Sequence, residues 1–248
     1  AQLCPQCNGL WIEHADFAEF VRRLAQETLD MAPVTPVPPL PTPLPGERPL
    51  PCPVCTAPFV RRALARVDDL PLAQCPRRAS MTGSATLSLV GVERALASPA
   101  DWNRAEWTKL WLYNAHYFDD LVASDADRRT AWHRALIARW VAENPPARGN
   151  GWEPYPTSLR IVNWIKWACA GHRLEEAVVD SLAVQVRHLR RRLEVHLLGN
   201  HLWANAKALA FAGAFFEGSE ADAWRGKGLA LIGRELDEQV LRYGGHVE

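Results

Sequence analysis

An amide and an imidazole lie side by side at the start of a predicted helix in this sequence. Asn200 and His201 follow Gly199, and a helical pattern of apolar residues continues after them. The first turn of a helix has unpaired N–H groups and the positive end of the helix dipole, so it favours a bound carboxylate. An asparagine amide donates hydrogen bonds, and an imidazole exchanges a proton near neutral pH. Residues of these two types at this position are therefore suited to a bound carboxylate and to proton transfer.

Five cysteines in the first third of the chain have the spacing of metal ligands: Cys4, Cys7, Cys52, Cys55 and Cys75. The first four form two C-P-x-C turns, and two such turns supply the four thiolates of a tetrahedral structural Zn²⁺ site. The position at which a partner of Cys75 would follow holds Arg78, whose guanidinium cannot bind a cation. Two alternatives stay open: a zinc site in which Cys75 is unused, or unmetallated thiols. The sixth cysteine, Cys169, lies in a predicted helix, and we expect its side chain in the protein core.

The composition is that of a folded globular protein, with 48% apolar and 23% charged residues among 248. A formal net charge of zero argues against a nucleic-acid-binding protein, because such proteins usually carry a basic excess. No apolar run approaches the roughly 18 residues of a membrane span, and no signal peptide is recognisable. Most of the 11 tryptophans lie after residue 100, and we expect them to fill gaps between helices rather than to bind sugars.

The chain divides into four segments of different character. Residues 1–31 hold the first cysteine pair and a short amphipathic helix, residues 32–51 form a Pro-rich and therefore extended linker, and residues 52–82 hold the second cysteine segment. Residues 83–248 are a helical domain with apolar residues every three or four positions. We expect six helices there, near 104–123, 127–143, 156–170, 174–198, 200–216 and 220–242. Their short connections predict antiparallel neighbours.

Capping residues set the expected helix boundaries. Asp125 is a candidate N-cap for the second helix, and Thr157 or Ser158 for the third. Asn144, which precedes two prolines, ends the second helix, and Gly171 ends the third. The fourth helix is expected to turn four arginines to solvent: Arg187, Arg190, Arg191 and Arg192.

Four motifs carry a resemblance to a known family. They are WTKLWLYNAHYF at 107–118, WEPYPTSLRIVNWIKW at 152–167, GNHLWANAKALAFAGAFF at 199–216 and YGGHVE at 243–248. In this order they resemble the amino-terminal helical domain of the heparinase II/III-like family, which includes heparin-sulfate and alginate lyases. The likeness spans about residues 85–248. It implies a mainly α fold, an incomplete α/α toroid of antiparallel helical hairpins, followed in the family by a β-sandwich domain that this sequence lacks.

The resemblance also implies a reaction and its residues. The family cleaves uronic-acid-containing polysaccharides by β-elimination, and here the substrate is expected to be heparan-sulfate-like, alginate-like or an exopolysaccharide. Asn200 would neutralise the sugar carboxylate, and His201 would act as base or as a second neutralising donor, with no cofactor needed. The family tyrosine lies beyond the end of this sequence, so we expect a fragment with little activity alone. Further candidates for substrate binding are Tyr113, His116, Tyr117, Glu153, Tyr155, Arg160, Asn163, Trp164 and His246.

The first 75 residues resemble a different family. CPQCNGLWIEHADF and CPVCTAPFVRRALARVDDLPLAQC are similar to halves of tandem bacterial zinc ribbons related to transcription-factor zinc fingers. This likeness ends at Arg77-Arg78 and the lyase-like pattern begins near Ser84, so either the chain is a genuine fusion or it joins two unrelated reading frames. The ribbon indicates the cytoplasm and the lyase the periplasm or secretion, which leaves the location open. The alternatives are a non-catalytic zinc-ribbon adaptor and an α/α-barrel glycoside hydrolase, which needs two carboxylates in its cleft.

Overall fold

The computed structural model describes residues 77–197 and 200–239, together with three two-residue strands closer to the amino terminus. These strands are β1 (Gln2–Leu3), β2 (Leu10–Trp11) and β3 (Val60–Arg61). Strand β1 pairs with β2, and β3 pairs with a later strand, both in antiparallel register. The five cysteines of the predicted zinc site and His246 lie outside the described residues.

Six helices dominate the described part of the chain. They are α1 (Lys109–Tyr117), α2 (Thr130–Glu143), α3 (Pro154–Cys169), α4 (Glu176–Arg190), α5 (Asn200–Phe215) and α6 (Ser219–Gln239). Short 3₁₀ turns connect or precede them at Pro99–Asn103, Asp119–Val122, Ala126–Arg129 and Asn150–Trp152. The prediction of a mainly α fold is confirmed.

The first and fourth helices are shorter than the sequence pattern predicted. Helix α1 begins after Thr108, whose hydroxyl caps the Trp111 N–H at 3.4 Å, and it ends at Phe118, which has a left-handed φ of 59°. The residues predicted to extend it, 104–108 and 118–123, form turns instead. Helix α4 ends at Arg190, and residues 191–197, which were predicted to be helical, form turns and irregular structure. Apolar spacing continues through these turns, which is why periodicity overestimated both helices.

The third helix begins three residues earlier than its predicted caps. Pro154 occupies the first turn and Glu153 is the N-cap, an arrangement that suits proline because its missing N–H has no helical partner there. Thr157 and Ser158 lie inside the helix, where their hydroxyls donate to the carbonyls of Gly151 and Pro154 at 3.1 and 2.8 Å. The prediction that either residue caps this helix is therefore wrong.

Other boundaries follow their predicted turn residues more closely. Helix α2 ends at Asn144 before the two prolines, and Gly171, with a φ of 96°, follows the end of α3. Both predictions are confirmed. Asp125 has a left-handed φ of 54° and precedes the 3₁₀ turn, and no cap hydrogen bond from its side chain is formed. The predicted N-cap role of Asp125 is wrong, since α2 starts only at Thr130.

A β-hairpin precedes the helices and was not expected from the sequence. Strand β4 (Thr86–Leu89) pairs with β5 (Val92–Ala95), with Leu89 opposite Val92. The turn residues Val90 and Gly91 both have positive φ, 52° and 74°, as a two-residue I′ hairpin requires. Little in the sequence indicated these strands, because they are only four residues long and the second, Val92–Ala95, has no alternation of apolar and polar residues. A last short strand, β6 (Phe216–Glu217), follows α5 and pairs with β3.

The helices alternate between two rows. Helix α3 contacts α1 on one side and α5 on the other, α2 contacts α4, and α6 packs along α5. Helices α3 and α5 run in the same direction, because Tyr155 meets His201 and Ser158 meets Asn205 in the same order. Alternation between an inner and an outer row is what an α/α toroid would show; the described residues do not include the closure of a ring.

Tryptophans fill the space between the rows. Six of them are fully buried: Trp102, Trp111, Trp140, Trp164, Trp167 and Trp224. The Trp140 ring lies 5.8 Å from Trp152 and 5.6 Å from Trp164, and these centroid distances are typical of aromatic packing. The prediction that the tryptophans mainly pack between helices is confirmed for these residues.

Two expectations about single residues were wrong. Cys169 is exposed at the carboxyl end of α3 rather than in the core. Arg187 is buried, and its guanidinium pairs with Glu220 of α6 at 3.1 Å, whereas Arg190, Arg191 and Arg192 are exposed as expected. A partner distant in sequence holds Arg187 inside. No helix in the described residues combines the length and apolarity that crossing a membrane requires.

Candidate active site at the start of helix α5

Asn200 and His201 are the first two residues of α5, and both are accessible from outside. Asn200 is exposed, and the side chain of His201 keeps 35% of its surface exposed. The ring of Tyr155, from the first turn of α3, lies 4.4 Å from the imidazole. Because α3 and α5 run parallel, their amino-terminal ends lie together, and the dipoles of both helices favour an anion there.

A buried hydrogen-bond network holds the imidazole of His201 on the side away from solvent. The Nδ1 of His201 lies 3.0 Å from Oε1 of Glu194, and Asn205 donates to Oε2 of the same carboxylate at 3.0 Å. The Glu194 N–H donates to Oδ1 of Asn205 at 2.8 Å, and the Asn205 amide also donates to Oγ of Ser158 at 3.0 Å. Glu194 and Asn205 are buried. The network therefore connects α3, α5 and the segment that precedes α5.

Helix α1 contributes two tyrosines to the same region. The hydroxyl of Tyr113 donates to Oε2 of Glu153, whose other oxygen pairs with Lys109 at 3.1 Å. Burial, followed by the contact with Glu153, raises the pKa of Tyr113 above its ordinary value, and Glu194 adds to the effect. Tyr117 packs edge-on against Tyr155 at 5.9 Å, and burial together with Tyr155 raises its pKa. Aromatic and acidic groups of α1 and α3 thus lie close to the start of α5.

Five predicted substrate-binding residues lie inside the protein instead: Tyr117, His116, Arg160, Asn163 and Trp164. His116 is fully buried: its Nε2–H donates to the Trp102 carbonyl at 3.1 Å, and its Nδ1 accepts from the Trp140 indole at 2.9 Å. Burial, reinforced by the nearby Arg160, lowers the pKa of His116 to about 3. His116 is therefore a neutral core residue, and the prediction that it contacts substrate is wrong.

Arg160 is equally inaccessible. Its guanidinium lies 3.8 Å from the centre of the Trp140 ring and donates to Oε1 of Gln185 at 2.8 Å and to the His116 carbonyl at 3.3 Å. Burial lowers its pKa well below the ordinary value. Its donors are used between helices, so the prediction that it grips an acidic sugar is wrong.

Asn163 and Trp164 are also structural. The amide of Asn163 donates to the Tyr117 carbonyl and to Asp119 at 2.9 and 2.8 Å, which joins α3 to the end of α1. Trp164 has no exposed surface. Neither side chain reaches solvent to any useful extent, so the prediction that they bind substrate is corrected here as well.

Comparison with known proteins gives the family. The family model described as "Heparinase II/III N-terminus" matches residues 123–248, just over half of the chain. This chain belongs to the heparinase II/III family. The match includes α2 to α6 and so contains His201, Glu194 and Asn205, whereas α1 lies before it.

A curated relative supports the same conclusion. A heparin-sulfate lyase of Bacteroides stercoris is 43% identical over 61 residues, which is 22% of this chain and 9% of the relative. The aligned stretch thus spans less than a tenth of that lyase. No solved structure matches this chain.

Sequence reasoning missed two residues of this heparinase-family site. Glu194 and Asn205 flank the Asn200-His201 pair in sequence, but the pattern around Glu194 predicted a helix.

Lys207 lies two turns beyond Asn200 on α5 and has an altered pKa. Burial and, to a smaller extent, the nearby Lys166 and Arg77 lower the pKa of Lys207 to about 8, and Asp119 acts in the opposite direction. Within the ranges that the structure describes, no group of three His, Cys, Asp or Glu side chains has a metal-binding arrangement.

Proposed function

We propose that this chain is part of a lyase that cleaves a uronic-acid-containing polysaccharide by β-elimination. The family is that of polysaccharide lyases. The observation that carries the proposal for this chain is the position of Asn200 and His201. They are accessible, they begin a helix that favours anions, and a buried carboxylate orients the imidazole.

The chemistry explains why these groups are needed. In β-elimination the C5–H bond and the C4–O4 bond break, a C4=C5 double bond forms, the C5 proton goes to a base and O4 receives a proton. The C5 proton is hardly acidic while the adjacent carboxylate keeps its charge, so donors that neutralise the carboxylate lower the barrier. The amide of Asn200 and the first N–H groups of α5 are such donors. His201 would serve as the base or, when protonated, as a further donor.

The aromatic side chains near the pair would bind the sugar rings. Tyr155 lies against the imidazole, and the partly exposed Tyr113 extends the surface along α1. The buried Tyr117 packs against Tyr155 and supports it, and Glu153 and Lys109 lie at the margin of the surface. The substrate therefore is expected to lie across the amino-terminal ends of α3 and α5. Heparan-sulfate-like, alginate-like and bacterial exopolysaccharide substrates all carry the carboxylate that this arrangement requires.

The test compares point variants in the protein expressed from its whole gene, since the matched stretch spans 9% of the curated relative. Acidic polysaccharides are screened for the ultraviolet absorbance of an unsaturated uronide product. Asn200→Ala and His201→Ala are each expected to lower kcat by about 10²–10⁴-fold with an unchanged circular dichroism spectrum. The exposed His196 gives a matched control, because His196→Ala should retain full rate.

Each outcome has a definite meaning. Full activity in both the Asn200 and the His201 variants contradicts the assignment of the site. New reducing ends without the unsaturated product would favour a glycoside hydrolase, because hydrolysis creates no double bond. Absence of any cleavage in the whole protein contradicts the enzymatic proposal altogether.

A further inference from the structure

The contact between Glu194 and His201 fixes which ring nitrogen of the histidine carries a proton. Nδ1 lies 3.0 Å from a carboxylate oxygen of Glu194. An ionised carboxylate only accepts hydrogen bonds, so Nδ1 must be the donor whether the ring is neutral or charged. In the neutral ring the proton lies on Nδ1, and Nε2 has the free lone pair.

We propose that Glu194 is a positioning residue that holds His201 in the Nδ1–H tautomer and so makes Nε2 the atom that faces substrate. This inference rests on the proposed function and defines it further. A neutral His201 accepts a proton at Nε2 and acts as the base, whereas it donates to a sugar carboxylate only as an imidazolium. The orientation resembles the general arrangement in which a buried carboxylate orients a catalytic imidazole through its other nitrogen.

Glu194 is itself held in one orientation. Its N–H donates to Oδ1 of Asn205, so the Asn205 amide must present its NH₂ group to the Glu194 carboxylate and to Ser158. Burial of Glu194 and Asn205 excludes exchange of these contacts with water. One carboxylate oxygen of Glu194 therefore bonds to Asn205 and the other to His201. A change in the hydrogen bond to one partner must then alter the hydrogen bond to the other.

This constraint predicts an unusual result for Glu194→Gln. The single side-chain oxygen of a glutamine must face the Asn205 NH₂, since two NH₂ groups cannot share a hydrogen bond. The glutamine NH₂ then faces Nδ1 of His201, which has to become an acceptor. The proton moves to Nε2, so the variant should have the opposite tautomer and no free lone pair towards substrate.

The experiment measures the tautomer directly by NMR on the chain labelled with ¹⁵N-histidine. Correlations between ring nitrogens and ring protons distinguish the two tautomers at a pH of about 8.5, two units above the ordinary histidine pKa. The His201 signals are assigned by their loss in His201→Gln. We expect Nδ1–H in the unmodified chain and Nε2–H in Glu194→Gln. The exposed Glu106 supplies the control, because Glu106→Gln should leave the tautomer unchanged.

The results separate this inference from the proposed function. An Nε2–H tautomer in the unmodified chain overturns the positioning role, and this measurement stands even if Glu194→Gln fails to fold. An unchanged tautomer in a folded Glu194→Gln protein overturns it too. In the whole enzyme, Glu194→Gln should lower kcat at least tenfold with a similar KM. If both tautomers are as predicted but the whole protein has no lyase activity, the proposed function is contradicted, and so is the catalytic part of the role of Glu194.

Discussion

Among the residues of the candidate site, Asn205 is the one whose replacement by alanine should lower the free energy of unfolding most. Its side chain donates to Ser158 and Glu194 at 3.0 Å each and accepts from the Glu194 N–H at 2.8 Å, and it is fully buried. Asn205→Ala removes all three hydrogen bonds. It also leaves the buried carboxylate of Glu194 with one partner fewer, and such a group pays its full desolvation penalty.

The expected loss follows from these contacts. A neutral hydrogen bond contributes about 1 kcal/mol net and one to a charged group about 1.5–3 kcal/mol. Allowing for partial entry of water, Asn205→Ala should lower the free energy of unfolding by about 3–4 kcal/mol. For a protein of this size that corresponds to a drop in Tm of roughly 6–16 °C. Ser158→Ala removes one of the three contacts of Asn205 and should cost about 1 kcal/mol. It also removes the bond from the Ser158 hydroxyl to the Pro154 carbonyl, but such a bond to the preceding turn of the same helix adds little stability.

Thermal and urea unfolding followed by circular dichroism measure both variants under identical conditions. The reasoning requires the two variants to differ by more than about 2 kcal/mol, the difference between the losses calculated above. A loss below about 1 kcal/mol for Asn205→Ala would refute it, because the network would then not be formed as described. An equal loss in both variants would place the energy in the Ser158 contact alone.

Two further predictions concern packing and pH. In α6, a Cβ at Gly228 would lie 2.6 Å from the Ala210 N and 2.7 Å from the Ala206 carbonyl, whereas a Cβ at Gly226 meets nothing within 4 Å. Gly228→Ala should therefore separate α5 from α6 and cost about 1–3 kcal/mol, while Gly226→Ala should gain about 0.5–1 kcal/mol from helix propensity; equal Tm values for the two variants would contradict this packing. Lys207 has a folded pKa of about 8, below its ordinary 10.5, so between these values the unfolded chain binds the extra proton and stability rises with pH. Lys207→Met should raise the free energy of unfolding by about 1–3 kcal/mol below pH 8, and the gain should shrink towards pH 10.5; a gain that does not change with pH would show that the charge of Lys207 is not what burial penalises.

The helices were predictable because their apolar spacing is a local property. Apolar residues at every third or fourth position form one face of a helix, and that face packs into the core whichever elements surround it. The position of Asn200 and His201 at the start of α5 followed from the same local pattern. Turn residues located the end of α2 at Asn144, since a following proline cannot continue a helix.

The buried polar residues were not predictable in this way. His116 and Arg160 are residue types that bind acidic sugars when exposed, and nothing in their own segments shows that Trp102, Trp140 and Gln185 occupy their hydrogen bonds. Those partners lie up to 25 residues from the residue that they satisfy. Burial with distant partners is a tertiary property, so sequence reasoning counted these residues as ligands.

The sequence by itself determined the mainly helical fold, the family and the position of Asn200 and His201 at the start of a helix, because each depends on short-range spacing or on contiguous motifs. Only the tertiary structure decided which polar side chains face solvent. It also showed that Glu194, seven residues before His201, turns back to meet the imidazole. That contact joins residues of two separate elements through their tertiary placement, which the residues around Glu194 do not by themselves specify.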